Sequence, residues 1–188
     1  MVFSDDRAQL QAPVTDRDHA QGASDAPVTL VEYGDYECPH CGRAFPIIKD
    51  AQRRLGGRLR FVFRHFPLAE SHPNAVHAAE ASESVAAQAG EEAFWRMHDL
   101  MYDHQRDSDD SLDDAHLVRY AEQAGADAAT VALDLAGDSY EPVVKASFMT
   151  GVRSGVNGTP TFFINGARFD GDWTRVESFA AALEEVPT

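Results

Sequence analysis

The first sustained apolar segment of the chain, Val28-Thr29-Leu30-Val31-Glu32-Tyr33, is rich in β-branched residues and predicts a buried strand over 28–33. Pro39 suits the first position of a helix, where its missing N–H costs nothing, and the helix is expected to run to about residue 55. Pro46 falls inside it, removes a bond to the Gly42 carbonyl and predicts a kink. Gly56-Gly57 ends that helix. A second strand is predicted over 59–65, where apolar residues alternate with Arg60 and Arg64 and Val62 belongs clearly to neither face. Strand, helix, strand at this length is a βαβ unit with a right-handed crossover.

From about residue 71 to 154 the spacing becomes helical. Ala75, Ala78, Ala79, Ser82, Val85, Ala86 and Ala89 make a small-residue face that Gly90 closes. The segment 91–104 carries Phe94, Trp95, Met97, His98, Leu100 and Met101. Further helices are predicted over 113–124, 127–135 and 140–153, the last with Tyr140, Val144, Phe148 and Val152 on one stripe. Phe94, Trp95, Leu100, Tyr140 and Phe148 are expected to be largely buried. A third strand over 161–164, an Asn165-Gly166 type I′ turn, a fourth strand over 167–169 and a helix over 174–185 complete the chain. Residues 1–25, punctuated by Pro13 and Gly22, read as an extended arm in which 18–22 form a turn leading to the sheet.

Composition narrows the classes. At 44% hydrophobic and 25% charged, the chain is an ordinary globular one. No apolar run approaches the roughly 18 residues of a membrane helix, so no membrane insertion is expected. Residues 1–26 show no basic segment followed by an apolar one; the chain as written is expected to be cytoplasmic, and periplasmic or extracytoplasmic if it is a processed form. The net charge is -15, with only Lys49 and Lys145 for lysines. Such a surface repels phosphate backbones and argues against nucleic acid as a partner.

The chemistry sits at the predicted strand–helix junction. The chain has two cysteines, and they lie three apart in Cys38-Pro39-His40-Cys41. With Pro39 at the first helical position, Cys38 falls at the N-cap, where free amides and the positive helix end favour a thiolate. A low-pKa thiolate with a second thiol three residues on is the minimum apparatus for thiol–disulfide exchange. His40, when protonated, would stabilise that thiolate further. Cys38 is expected to be solvent-accessible, and Cys41 to be buried behind it. His98 is read as a hydrogen-bonded helix residue, and His72, His77, His104 and His116 as solvated.

Cys-Pro-His-Cys on a strand–helix turn, with a Pro inside the helix and a Thr-Pro before a late hairpin, resembles the thioredoxin fold. The helical block between the second and third core strands resembles the DsbA-like branch, as do the string from Asp25 to Cys41, Phe94-Trp95-Arg96-Met97-His98-Asp99-Leu100 and Val156-Asn157-Gly158-Thr159-Pro160-Thr161. The resemblance implies an α/β, thioredoxin-like fold, a mixed sheet flanked by helices with a DsbA-type helical insertion. Residues 1–25 would be the arm, 26–70 and 155–188 the thioredoxin-like domain, and 71–154 the inserted subdomain. It implies a thiol–disulfide oxidoreductase in which Cys38 attacks and Cys41 resolves. Glu32 would be a buried acid beneath the pair, with a raised pKa that lets it relay protons to Cys41. Pro160 would be a cis-proline facing the dithiol, and Thr159 and Pro160 would bind an extended client. The implied partners are thiol- or disulfide-containing protein clients and a redox recycling partner.

Two other classes use the same residues. A Cu(I)-binding or delivery module needs only two thiolates, whereas a structural zinc site wants four ligands and the chain has one cysteine pair. A non-enzymatic holdase on the same scaffold would not need both cysteines. The 107–110 loop lacks the glycine and terminal glutamate of a calcium loop. No metal ligands and no dissociable cofactor are expected.

Overall fold

A computed structural model of the chain describes residues 8–186. Five strands form one mixed sheet: β1 (His19–Gln21), β2 (Val28–Gly34), β3 (Leu59–His65), β4 (Thr161–Ile164) and β5 (Ala167–Arg168), in the order β1-β3-β2-β4-β5. β2 and β3 run parallel, joined by α1 (Pro39–Leu55), and every other pairing is antiparallel. Helix α1 matches its predicted limits and continues through Pro46 as one element. The β4–β5 turn has Asn165 and Gly166 both at positive φ, as a type I′ turn requires.

Between β3 and β4 lie five helices: α2 (Ala75–Ala89), α3 (Glu91–His104), α4 (Asp114–Ala124), α5 (Ala128–Ala136) and α6 (Glu141–Arg153). α7 (Val176–Glu184) follows β5 and packs on α1. α4 and α5 begin at the aspartates the pattern allows: Asp113 and Asp127 each accept the amide three residues on.

Alternation along the strands explains the two cores. Val28, Leu30, Phe61 and Phe63 point to the face covered by α1, α3 and α7. Val31, Tyr33, Val62 and Phe163 point to the other, under Leu10, Val14, Ala20, Leu68 and Phe148. Val62 therefore sits with Arg60 and Arg64, on a face the arm and α6 cover. The segment expected to be a turn before the sheet is instead edge strand β1, paired with β3 at His19↔Phe63 and Gln21↔Phe61. Phe94 and Trp95 are buried, but Leu100, Tyr140 and Phe148 are only half-buried. Val152, at the end of the α6 stripe, is exposed. Val152 faces away from the sheet while its neighbour Gly151 packs against Phe66 and Tyr33, and only Val144 and Gly151 of that helix are fully covered.

Candidate active site

β2 ends at Gly34, and the chain then turns through Asp35, whose side chain organises the junction. Its Oδ1 accepts the amides of Glu37 at 2.8 Å and Cys38 at 3.2 Å, and its Oδ2 accepts the amide of Leu68 and meets His72 Nδ1 at 2.7 Å. The carboxylate is buried, and these four contacts leave it well satisfied. Asp35 thus ties the start of α1 to the loop after β3. The pattern of a short polar side chain bonding amides two and three residues on was readable before Cys38. His72, expected to be solvated, is partly covered and paired with it. Burial works against protonating His72, but the bond to and charge of Asp35 outweigh that, with Cys38 and Glu37 adding, and its pKa is raised.

A second tie comes from the end of α3. Gln105 Nε2 donates to the carbonyls of Tyr36 at 2.7 Å and Cys38 at 2.9 Å. Its amide lies so close to Gly42 that a Cβ there would collide with Gln105 Oε1. Gly42 is thus the residue that lets the helical block reach the dithiol turn. Nothing in the pattern of the 105–110 loop marked Gln105.

Cys38 is the N-cap of α1 and Pro39 its first residue, both as the sequence predicts. The first-turn amides of His40 and Cys41 lie near the sulfur without closing a full cap hydrogen bond, and Sγ is 3.5 Å from the Thr159 carbonyl, which its thiol form can donate to. Both cysteines are free thiols. Cys38 is 3% exposed, less than expected, and Cys41 is fully enclosed. The pair is electrostatically split. The Cys41 thiol donating to the Cys38 sulfur is the largest cause holding Cys38 down to about 5; burial opposes it, and the Thr159 side chain and the main-chain amides of Cys41 and His40 add to it. Burial first, then the bond to Cys38 and the charge of Glu32, push Cys41 well up.

Glu32 sits on the same face of β2 as Leu30, 1% exposed, with Oε1 bonded to nothing. Burial, and secondarily the Cys38 charge, raise it to about 8. His40 is exposed, and its Nδ1 lies within hydrogen-bond distance of the Arg43 guanidinium. The Thr159-Pro160 bond is cis, and the loop carrying it faces Cys38 through the Thr159 carbonyl. The structure therefore brings Cys38, Cys41, Glu32 and Thr159-Pro160 into one cluster, and leaves Pro39, the first residue of α1, and the His40 ring exposed at its outer edge. His98 is buried beneath Tyr36, Phe45 and Phe63 and bonds Asp99 at 3.0 Å.

Among solved structures, the chain is similar to oxidised BdbD from Bacillus subtilis, at 23% identity, with a TM-score of 0.83 over 95% of this chain and 96% of that one. It is similar to alpha-DsbA1 from Wolbachia pipientis at 20% identity, with a TM-score of 0.75 and 94% of each chain covered. These likenesses show a shared, DsbA-type fold. In sequence it is 42% identical over 175 residues to a protein of Salinispora tropica named Na(+)/H(+) antiporter NhaA 3; the match covers 93% of this chain and 26% of that protein. The chain thus spans about a quarter of the curated relatives it matches. The family model described as Thioredoxin matches residues 14–185, from the arm to the last helix, and by it the chain belongs to the thioredoxin family.

Proposed function

We propose that the chain is a thiol–disulfide oxidoreductase working through Cys38 and Cys41. The observation that carries this reading is the placement of two free thiols, Cys38 at the N-cap of α1 and Cys41 fully enclosed behind it over the buried Glu32, which favours a thiolate at the first and a thiol at the second. In the reducing direction the Cys38 thiolate attacks one sulfur of a client disulfide, forming a mixed disulfide and releasing a client thiolate. Cys41 then gives its proton to the carboxylate of Glu32 and attacks the Cys38 sulfur. The Cys38–Cys41 disulfide forms, the client's second sulfur leaves as a thiolate, and the two client thiolates take up one proton from Glu32 and one from water. The oxidising direction is the reverse. Glu32 suits this step because it can hold or release a proton near neutral pH. His40 acts here through its main-chain amide, and the backbone beside Thr159 and Pro160 pairs with an extended client.

A stabilised Cys38 thiolate stabilises the reduced protein, which favours donating the disulfide. The reduction potential against a glutathione buffer should lie nearer about -120 mV than about -270 mV, and a value at the lower end would assign the chain to client reduction. A Cys41→Ser variant should accumulate mixed disulfides with clients or glutathione, and Cys38→Ser should trap none. Equal alkylation rates for the two reduced thiols would remove the assignment of attacking and resolving roles.

The antiporter names of the relatives give a setting for this activity. Among the described residues no helix is long and apolar enough to cross a membrane. We read the matched quarter as a redox module that such proteins carry beside their transport part, with exposed cysteines of neighbouring proteins as its clients.

A further inference from the structure

Away from the dithiol, His19 on β1, His65 at the end of β3 and Glu83 on α2 converge on one point. His65 Nε2 lies 2.9 Å and His19 Nε2 3.3 Å from the same oxygen, Glu83 Oε1, and the three donor atoms all fall within 4.8 Å of one another. We infer that this trio is a binding site for a zinc-type divalent cation, with three protein ligands and a fourth position for water.

The donor set and its support point the same way. Two imidazoles and one carboxylate suit zinc, whereas calcium and magnesium want oxygen ligands. Zinc bonds of about 2.0–2.2 Å in a tetrahedron place neighbouring ligand atoms about 3.3 Å apart, which the His19–Glu83 pair already matches. The His65–Glu83 pair needs to open by only a few tenths of an ångström. The other nitrogen of His19 meets Glu91 Oε2 at 2.8 Å, the carboxylate–imidazole support usual behind a metal-bound histidine. Glu91 is itself fixed, accepting the Trp95 indole N–H at 2.8 Å and the Ala20 amide at 2.9 Å. The His19 ring is stacked on Phe94 at 3.5 Å between centroids, so its plane is set before any ion arrives. His65 is buried with Nδ1 unpartnered, so on its polar side only the Nε2 contact orients it. Bound there, the ion would clasp the N-terminal arm to the sheet and to α2.

The test uses the Cys38→Ser/Cys41→Ser chain, which removes the competing thiolates. Zinc chloride is titrated into it by calorimetry, alone and with His19→Gln or Glu83→Gln added. The expected result is one zinc per chain, with affinity reduced at least tenfold by either substitution. Cobalt(II) should give the intense visible absorption of a tetrahedral site, and Glu83→Gln should abolish it. His19→Gln lies on an edge strand, so circular dichroism of that variant keeps the test decisive if Glu83→Gln fails to fold. No zinc binding in the double-serine chain, or undiminished binding in folded His19→Gln, overturns the inference.

Discussion

Cys38 is held from four directions: Asp35 accepts its amide, Gln105 binds its carbonyl, Thr159 meets its sulfur, and Cys41 donates to it from behind. Such a thiol should respond to charges it does not touch. His72 faces this cluster with a raised pKa, and replacing it by Phe removes a positive charge that favours the thiolate. In His72→Phe the pH midpoint of Cys38 alkylation should move upward, and the rate at pH 5 should fall roughly two- to threefold. An unmoved midpoint would show that His72 serves only to anchor Asp35. At this scale the placement of the cysteines and Pro39 was legible because each is marked by its neighbours in sequence, while the burial of Glu32 was expected through the family resemblance. His72 and Gln105 were not, since their partners lie 37 and 67 positions away and no local pattern records such a meeting.

Among the elements, the helices and the central strands were legible from their periods, and β1 was not. A three-residue strand offers no alternation to count, and its pairing is fixed by side chains elsewhere. Arg64 does much of this. Its Nε and Nη2 bond the two oxygens of Asp18 at 2.7 and 3.0 Å, and its remaining N–H groups reach the carbonyls of Ala12 and Pro13 and the Tyr33 hydroxyl. Arg64→Met leaves Asp18 largely covered and without its ion pair, holding only the Thr15 amide, and should cost on the order of 3 kcal/mol by denaturant titration while freeing the arm to protease. His19 gives β1 a pH dependence as well. Burial opposes its protonation, but the bonds to and charges of Glu83 and Glu91 outweigh that and raise it to about 9. A raised pKa stabilises fully below the ordinary histidine value of about 6.5, and that contribution is lost as pH rises through about 9. In chelated buffer the advantage of the disulfide form over its His19→Gln variant should therefore shrink between pH 6.5 and 9. Parallel stability curves would show that the ring does not hold that proton.

For the whole molecule, we propose that 71–154 is an inserted subdomain that does not fold apart from the rest. Phe45 of α1 stacks on Tyr102 at 5.2 Å between ring centroids, Phe63 of β3 meets His98 at 4.9 Å, and Gly151 of α6 sits where a Cβ would strike Phe66 and Tyr33. Joining residue 70 to 155 would strip the cover from Phe61 and Phe63, each worth about 2–3 kcal/mol when buried. Such a truncated chain should lack a cooperative thermal transition, and limited proteolysis of the intact chain should release no stable core. A surviving, active fragment would show the block to be separable. The reach of Gln105 back to Cys38 also orders events during synthesis. A ribosome that has made the cysteines has not yet made the residue that grips their turn, nor the Thr159 loop that faces the sulfur. The growing chain therefore carries two ordinary thiols, and their reactivity is switched on only once Gln105 and the Thr159 loop have been made and have folded back onto them.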